Sequence, residues 1–165
     1  MMAAQFAEFL EVILPPYIAA RSVADHVSLA EAERFVRDQH QKLLPAGQLS
    51  PDHYFKSIVA IDSDNQVGGV WFHIDADKRQ AFLYNITVFP QWHRRGYAAA
   101  ALSLVEEAVR SAGCAVLALN VFAENVGAAE LYGKAGYHRV SSHMNKRLCR
   151  DVLPSFPVAS YRESG

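Results

Sequence analysis

The segment Pro90-Gln91-Trp92-His93-Arg94-Arg95-Gly96-Tyr97-Ala98 carries the strongest chemical signal in the sequence. It joins the end of an apolar, strand-like run to the start of a run with helical period. The first amide groups of a helix have no internal partner, and the helix dipole adds partial positive charge there, so such a junction binds phosphate readily. Gly96 lets the backbone approach a ligand closely, and Ala98 is too small to block it. Arg94 and Arg95 add guanidinium groups that pair with phosphate oxygens. Together these residues read as a cradle for a pyrophosphate; the plain alternative is a strand-to-helix connection with two solvated arginines. The P-loop run Gly-x-x-x-x-Gly-Lys-Ser/Thr and the dinucleotide fingerprint Gly-x-Gly-x-x-Gly are both absent.

A second segment runs from Leu119 to Tyr137. Asn125 stands where a helix N-cap belongs, and Tyr132 follows two turns later. Capping alone explains the asparagine, and a place in the core explains the tyrosine. Trp71 and Phe72 fall on opposite faces of one strand, so one is expected in the core and the other beside a cleft. His73 alternates with Trp71. Cys114 reads as a small apolar filler. His138, His143 and Cys149 lack zinc spacing, and no metal is expected.

The elements that must position these residues follow from period and punctuation. Phe6, Phe9, Leu10, Ile13 and Leu14 recur at helical spacing, and Pro15-Pro16 should break or kink that helix. Ser28 and Glu31 form a capping box opening a helix to about residue 44. The period then changes. Residues 54–61, 67–74 and 80–89 read as strands, joined by connections too short for parallel crossovers, hence an antiparallel meander. Helix 97–112 carries Ala98, Ala101, Leu102, Val105, Ala108, Val109 and Ala112 on one face and stops at Gly113. Residues 115–122 are almost wholly apolar, as for a strand buried on both faces, which makes a β-α-β unit. A helix over 126–135 ends at Gly136, and 137–146 reads as a final strand. One domain is expected over 1–148, with 149–165 a loop or disordered tail.

Composition narrows the function classes. The 165 residues are 51% hydrophobic and 20% charged, with 16 Lys+Arg against 17 Asp+Glu, a net charge of −1. That excludes intrinsic disorder and argues against a nucleic-acid partner, which asks for a basic excess. Two cysteines are too few for a disulfide framework. No run of 18 apolar residues and no basic leader is present, so no membrane partner is expected and the cytoplasm is the simplest location.

With these residues in view, the chain resembles the GNAT superfamily of acyl-CoA-dependent N-acetyltransferases. The family's Gln/Arg-x-x-Gly-x-Gly/Ala loop stands here as His93-Arg94-Arg95-Gly96-Tyr97-Ala98, and its later pattern matches Asn125, Ala128, Leu131-Tyr132 and Gly136-Tyr137. The order of elements also matches over about residues 6–148. The resemblance implies an α+β fold, a mixed and mostly antiparallel sheet flanked by helices with one β-α-β crossover. It implies acetyl-CoA as cosubstrate and a primary amine of a small molecule or peptide as acceptor. The amides of Arg94, Arg95, Gly96, Tyr97, Ala98 and Ala99 would hold the pyrophosphate, and the backbone from Ile86 to Val88 the pantetheine arm. Asn125 would bond the pantetheine, with Ala128 beside it. Tyr132 would protonate the leaving thiolate as general acid, and a backbone N–H at Val88 would stabilise the oxyanion. The same fold also serves as a catalytically silent acyl-CoA-binding module. Homodimers are common in the family, and a homodimer is admitted here.

Three departures from the family stand out. His93 occupies the loop's Gln/Arg position. Asn85 stands in the strand where relatives often carry Glu or Asp, leaving His73, Glu124 or a water chain as base. The chain starts almost directly with helix, where many relatives begin with a strand.

Overall fold

The protein is described here by a computed structural model over residues 1–146 and 148. Helix α1 spans Ala3–Asp25 and α2 spans Leu29–Leu43. Strands β1 (His53–Val59), β2 (Gln66–Asp75) and β3 (Gln80–Val88) follow, then α3 (Tyr97–Ser111), β4 (Val116–Leu119) and α4 (Val126–Lys134). The strands form one sheet in chain order. The first three pair antiparallel, and β4 runs parallel to β3. This is the α+β architecture expected from the changes of period.

Alternation along β2 sorts the core into two layers. Val70, Phe72 and Ile74 face Leu102, Val105 and Val109 of α3 and Tyr132 of α4. Trp71 faces the other way, onto Phe9 and Ile13 of α1, Leu44 and Phe55. Trp71 is 2% exposed and Phe72 3%, so both are core, and neither borders a cleft as expected for one of them. Helices cover both faces of the sheet at this position. Burying each such ring is worth about 1.5–3 kcal/mol. The contact with α1 is tight: a Cβ on Gly69 would lie 2.7 Å from Phe9 Cδ2.

Between Trp71 and Phe72 the partner on β3 jumps from Asn85 to Leu83, leaving Tyr84 as the extra residue of a β-bulge. The bulge resets the alternation. Thr87 Oγ1 donates to Asn85 Oδ1 at 2.7 Å, while Ile86 and Val88 pack on the α3 side.

Further expectations are corrected. Pro15 and Pro16 lie inside α1 without ending it. The carbonyls that lose their helical partner, those of Glu11 and Val12, belong to exposed residues, while Phe9, Ile13 and Ile18 hold the opposite, buried face. The strand over 115–122 is only β4, an edge strand whose Val116 is 49% exposed, because among the described residues no strand pairs beyond it. Residues 137–146 form no strand. Their large apolar residues, Tyr137, Val140 and Met144, recur every three or four positions and cannot line one strand face. The segment instead reaches the end of α1, where Asn145 Nδ2 donates to Ala24 O at 2.5 Å and its Oδ1 lies 2.8 Å from His26 Nε2. On α3, Ala101, Leu102, Val105 and Val109 are buried, whereas Ala108 and Ala112 are exposed. The tail at 149–165 lies outside the described residues.

Candidate functional site

The cradle is built where β3 turns into α3. Arg94 and Gly96 both take left-handed backbone, φ 60° and 85°. Left-handed residues alternating with ordinary ones turn successive N–H groups into one concavity. Gly96 caps α3 without a side-chain bond, and no acidic residue lies in the first turn. The Ala100 N–H bonds Gly96 O at 3.0 Å, the first helical bond, so the amides of Tyr97, Ala98 and Ala99 have no partner within the helix. A Cβ on Gly96 would meet nothing within 4 Å, so the space in front is open. Arg94 is exposed. The Arg95 guanidinium lies 5.0 Å over the Trp92 ring, which meets Tyr97 edge-on.

Beside the cradle, β3 has a free edge. It pairs with β4 only from Gln80–Val116 as far as Leu83–Leu119. The chain beyond β4 is drawn toward α1, where Phe122 tilts against Tyr17 with ring centroids 5.7 Å apart. The Phe89 N–H donates to Val67 O at 2.8 Å, so by alternation the polar groups of Val88 point away from β2 into the opening. His93 does not reach toward the cradle. Its Nε2 lies 2.7 Å from Val88 O, and since a carbonyl only accepts, Nε2 donates. Of Val88's two polar groups, the N–H is left for a ligand.

Helix α4 closes the opening from the other side. Asn125 caps it, Oδ1 accepting from the Ala128 N–H at 3.2 Å. Ala128, Ile86 and Tyr132 pack into one cluster with Leu83. Tyr132 is 9% exposed, and burial raises its pKa, which keeps the hydroxyl protonated at neutral pH. Tyr137, with its ring 5.7 Å away, is pushed up further by burial and by the Glu106 carboxylate.

The opposite face of the sheet holds a group that sequence reasoning did not assemble. His53 pairs in register with His73, their rings 4.6 Å apart. Trp71 Nε1 donates to His53 Nδ1 at 2.9 Å. Tyr84 lies 5.6 Å from His53 and stacks on Trp71. His40 of α2 approaches Trp71 at 5.3 Å, its Nδ1 donating to Val36 O. Burial, then the charge of His73, brings the His53 pKa down to about 4. The sequence signal was a histidine in each of two successive strands, but pairing them needs the register. Glu124 stands exposed in the turn before α4. Among the described residues no cluster of three or more His, Cys, Asp or Glu is placed to hold a metal ion, and no helix is long and apolar enough to cross a membrane.

The architecture and the comparisons with known proteins together place the chain among acyltransferases of the kind the motifs resemble. The acetyltransferase (GNAT) family matches residues 20–137, and the chain belongs to that family. It is 33% identical over 123 residues to the uncharacterized N-acetyltransferase YdgE of Bacillus subtilis strain 168, covering 72% of this chain and 78% of that one. It is 29% identical over 150 residues to the uncharacterized N-acetyltransferase YycN of the same organism, covering 90% and 96%. The crystal structure of YycN superposes with a TM-score of 0.83 over 91% of this chain and 96% of that one.

Proposed function

We propose that the protein transfers an acetyl group from acetyl-CoA to a primary amine of a small molecule or peptide by direct attack. The observation that carries this reading is the row of amides at Tyr97, Ala98 and Ala99, without partners among the described residues, beside the free edge of β3. These amides, with those of Arg94, Arg95 and Gly96, hold the pyrophosphate, and the dipole of α3 adds favourable potential. Ile86 and Val88 offer backbone groups to the pantetheine arm, as a strand edge does to an extended chain. Asn125 caps α4 through Oδ1 and donates from its amide to the arm, beside Ala128. Bound acetyl-CoA supplies an activated acyl carbon. The Val88 N–H stabilises charge on the carbonyl oxygen, and Tyr132 donates its proton to the departing sulfur. Holding the amine in line with the carbonyl supplies much of the rate. The acceptor is neither nucleic acid nor membrane, and the cytoplasm is the expected setting.

Calorimetric titration with CoA, followed by thiol release from acetyl-CoA over a panel of amines, tests this. Binding with turnover supports it. Binding without turnover on any amine assigns a silent acyl-CoA-binding module instead. No binding at millimolar CoA ends the reading.

A further inference from the structure

We propose that the acceptor is a weakly basic amine, the α-amino group of a peptide, held as its free base by Thr87 and Asn85 on the α1 side of the sheet and giving its proton to solvent. This rests on the acetyl-transfer reading above and narrows its acceptor.

Thr87 directly precedes Val88, the residue whose N–H is left for a ligand. Ile86 and Val88 pack on the α3 side, so by alternation Thr87 and Asn85 stand on the α1 side. The register agrees: Asn85 pairs with Trp71, which faces α1, and Thr87 pairs with Gly69. Tyr132 packs on the α3 side with Leu83 and Leu102. A thioester carbonyl at the Val88 N–H therefore has the acid on one side and the Thr87 hydroxyl on the other, and the amine attacks from the Thr87 side.

This pair is polar but uncharged. Thr87 Oγ1 donates to Asn85 Oδ1 at 2.7 Å, and both residues are half-exposed. A hydroxyl whose proton is so engaged keeps lone pairs that accept an amine N–H. The Asn85 amide keeps its Nδ2 to donate, which fits the carbonyl that follows an α-amino group in a peptide. The floor beside Thr87 is apolar, since a Cβ on Gly69 would lie 2.7 Å from the Phe9 ring and 3.1 Å from Met1 Cε. Across the opening stand Tyr17 and Phe122. An ammonium ion placed there would lose water and gain no carboxylate, which disfavours it against the neutral amine. Neither Thr87 nor Asn85 can take up a proton. His73 stands opposite Phe82, five residues along β2 from the Gly68 that pairs with Val88, and is out of reach. Tyr84 and His53 lie against Trp71, and burial keeps both uncharged at neutral pH. Glu8 and Glu11 of α1 are exposed while Phe9 and Ile13 face the sheet, and Glu124 is exposed beyond Phe122.

An amine that must arrive as its free base is selected by its own basicity. An α-amino group titrates near about 8 and a lysine near about 10.4, so at pH 7.5 about a quarter of the first and about a thousandth of the second is free. The greater nucleophilicity of lysine offsets part of that gap. In the step itself the nitrogen bonds to the acyl carbon, the carbon–sulfur bond breaks, and its electron pair leaves on sulfur. Tyr132 gives sulfur a proton, the surplus proton on nitrogen passes to solvent, and solvent reprotonates Tyr132. The products are the α-acetamide and the free thiol. Thr87 touches the reacting nitrogen in this scheme; Asn85 is a positioning residue that orients the Thr87 hydroxyl.

Two peptides of one sequence with a single lysine, one free only at its α-amine and the other only at its lysine, are compared with acetyl-CoA by kcat/KM against pH, alongside CoA calorimetry. Wild type should favour the α-amine peptide at least about tenfold at pH 7.5, and each acid limb should follow its own amine, about two pH units apart. Preference for the lysine peptide, transfer to neither, or limbs at one shared pH overturns the proposal while CoA binding leaves the acetyltransferase reading standing; failure of wild type to bind CoA sinks that reading instead. Thr87→Val should bind CoA within about twofold of wild type and lose about tenfold in kcat/KM on the α-amine peptide, with the limb unmoved. Asn85→Asp puts a carboxylate beside the amine and should narrow the preference about tenfold, drawing the lysine limb to lower pH. Unchanged kcat/KM in the first variant or unchanged preference in the second overturns the assignment. In 15N NMR of the wild-type CoA complex, where no transfer occurs, the Asn85 side-chain amide should shift on adding the α-amine peptide; no shift of that amide overturns the placement.

Discussion

The Nε2 of His93 and the main-chain oxygen of Val88, five residues back, stand 2.7 Å apart. This bond ties the start of the cradle loop to the free edge of β3, across the Pro90–Trp92 turn. It fixes where the cradle lies relative to the strand before any ligand arrives, and it uses the one carbonyl of Val88 that faces the opening.

Loosening that tie should weaken binding. His93→Ala is expected to raise the Kd for CoA about fivefold, the equivalent of one net hydrogen bond near 1 kcal/mol. His93→Gln, whose amide reaches a similar point as a donor, should restore most of it. Calorimetry on both variants decides; an alanine variant that binds as wild type would show that the loop is held by other contacts.

Tyr132→Phe removes the hydroxyl and little else from a side chain packed among Phe72, Leu83 and Leu102. CoA affinity should stay within about twofold, while kcat falls about 10- to 100-fold. An unchanged kcat would take the acid role away from Tyr132.

Gly96 separates backbone strain from filling of the cradle. A Cβ there meets no atom, so Gly96→Ala costs only the left-handed conformation, about 1 kcal/mol of stability at φ 85°. Gly96→Val adds a branched side chain in front of the amides and should also raise the Kd for CoA by more than about tenfold. Equal CoA affinity in the two variants would place the phosphates elsewhere.

Gly69→Ala should destabilise the fold without touching the cradle. Its Cβ would fall 2.7 Å from the ring of Phe9 on α1, which is buried and cannot swing clear. Overpacking of this kind costs about 1–3 kcal/mol. Urea unfolding measures the loss, and Phe9→Leu in the same chain should recover part of it.

His53 makes stability depend on pH. Its ring titrates near 6.5 when unfolded and is brought down to about 4 in the fold. Between those values the unfolded chain binds the extra proton, so stability rises with pH across this window. The contribution is whole above 6.5 and lost as pH falls toward about 4. His40, lowered in the same direction by burial, adds to the trend. His53→Asn, which keeps an acceptor for Trp71, should flatten the slope of urea midpoint against pH; an identical slope would remove His53 as its source.

Local chemistry was legible in the residues themselves. The Ser28–Glu31 capping box forms as spelled, with both reciprocal bonds made. Gly113 takes φ 77°, the left-handed stop its place predicts. The open start of α3 at Gly96 and the cap at Asn125 were readable for the same reason: a helix end is satisfied or left open by the few residues beside it. Element type followed from hydrophobic period, because that period decides which face can be buried.

What neighbours decide, the residues could not show. Pro15-Pro16 would end an isolated helix, yet packing of Phe9, Ile13 and Ile18 holds α1 through them. An apolar run at 115–122 became a half-exposed edge because no described strand pairs beyond β4, and 137–146 reaches α1 through Asn145. His53 and His73 are twenty positions apart and meet only because β1 and β2 pair in one register; Tyr84 turns toward them only because a bulge shifts β3 by one residue. Register and bulges are long-range agreements between strands, and a single residue of slip sends a side chain to the other face of the sheet. Sequence alone determined the family motifs and the helix ends, while tertiary structure decided which histidines share a face and where β3 is left open.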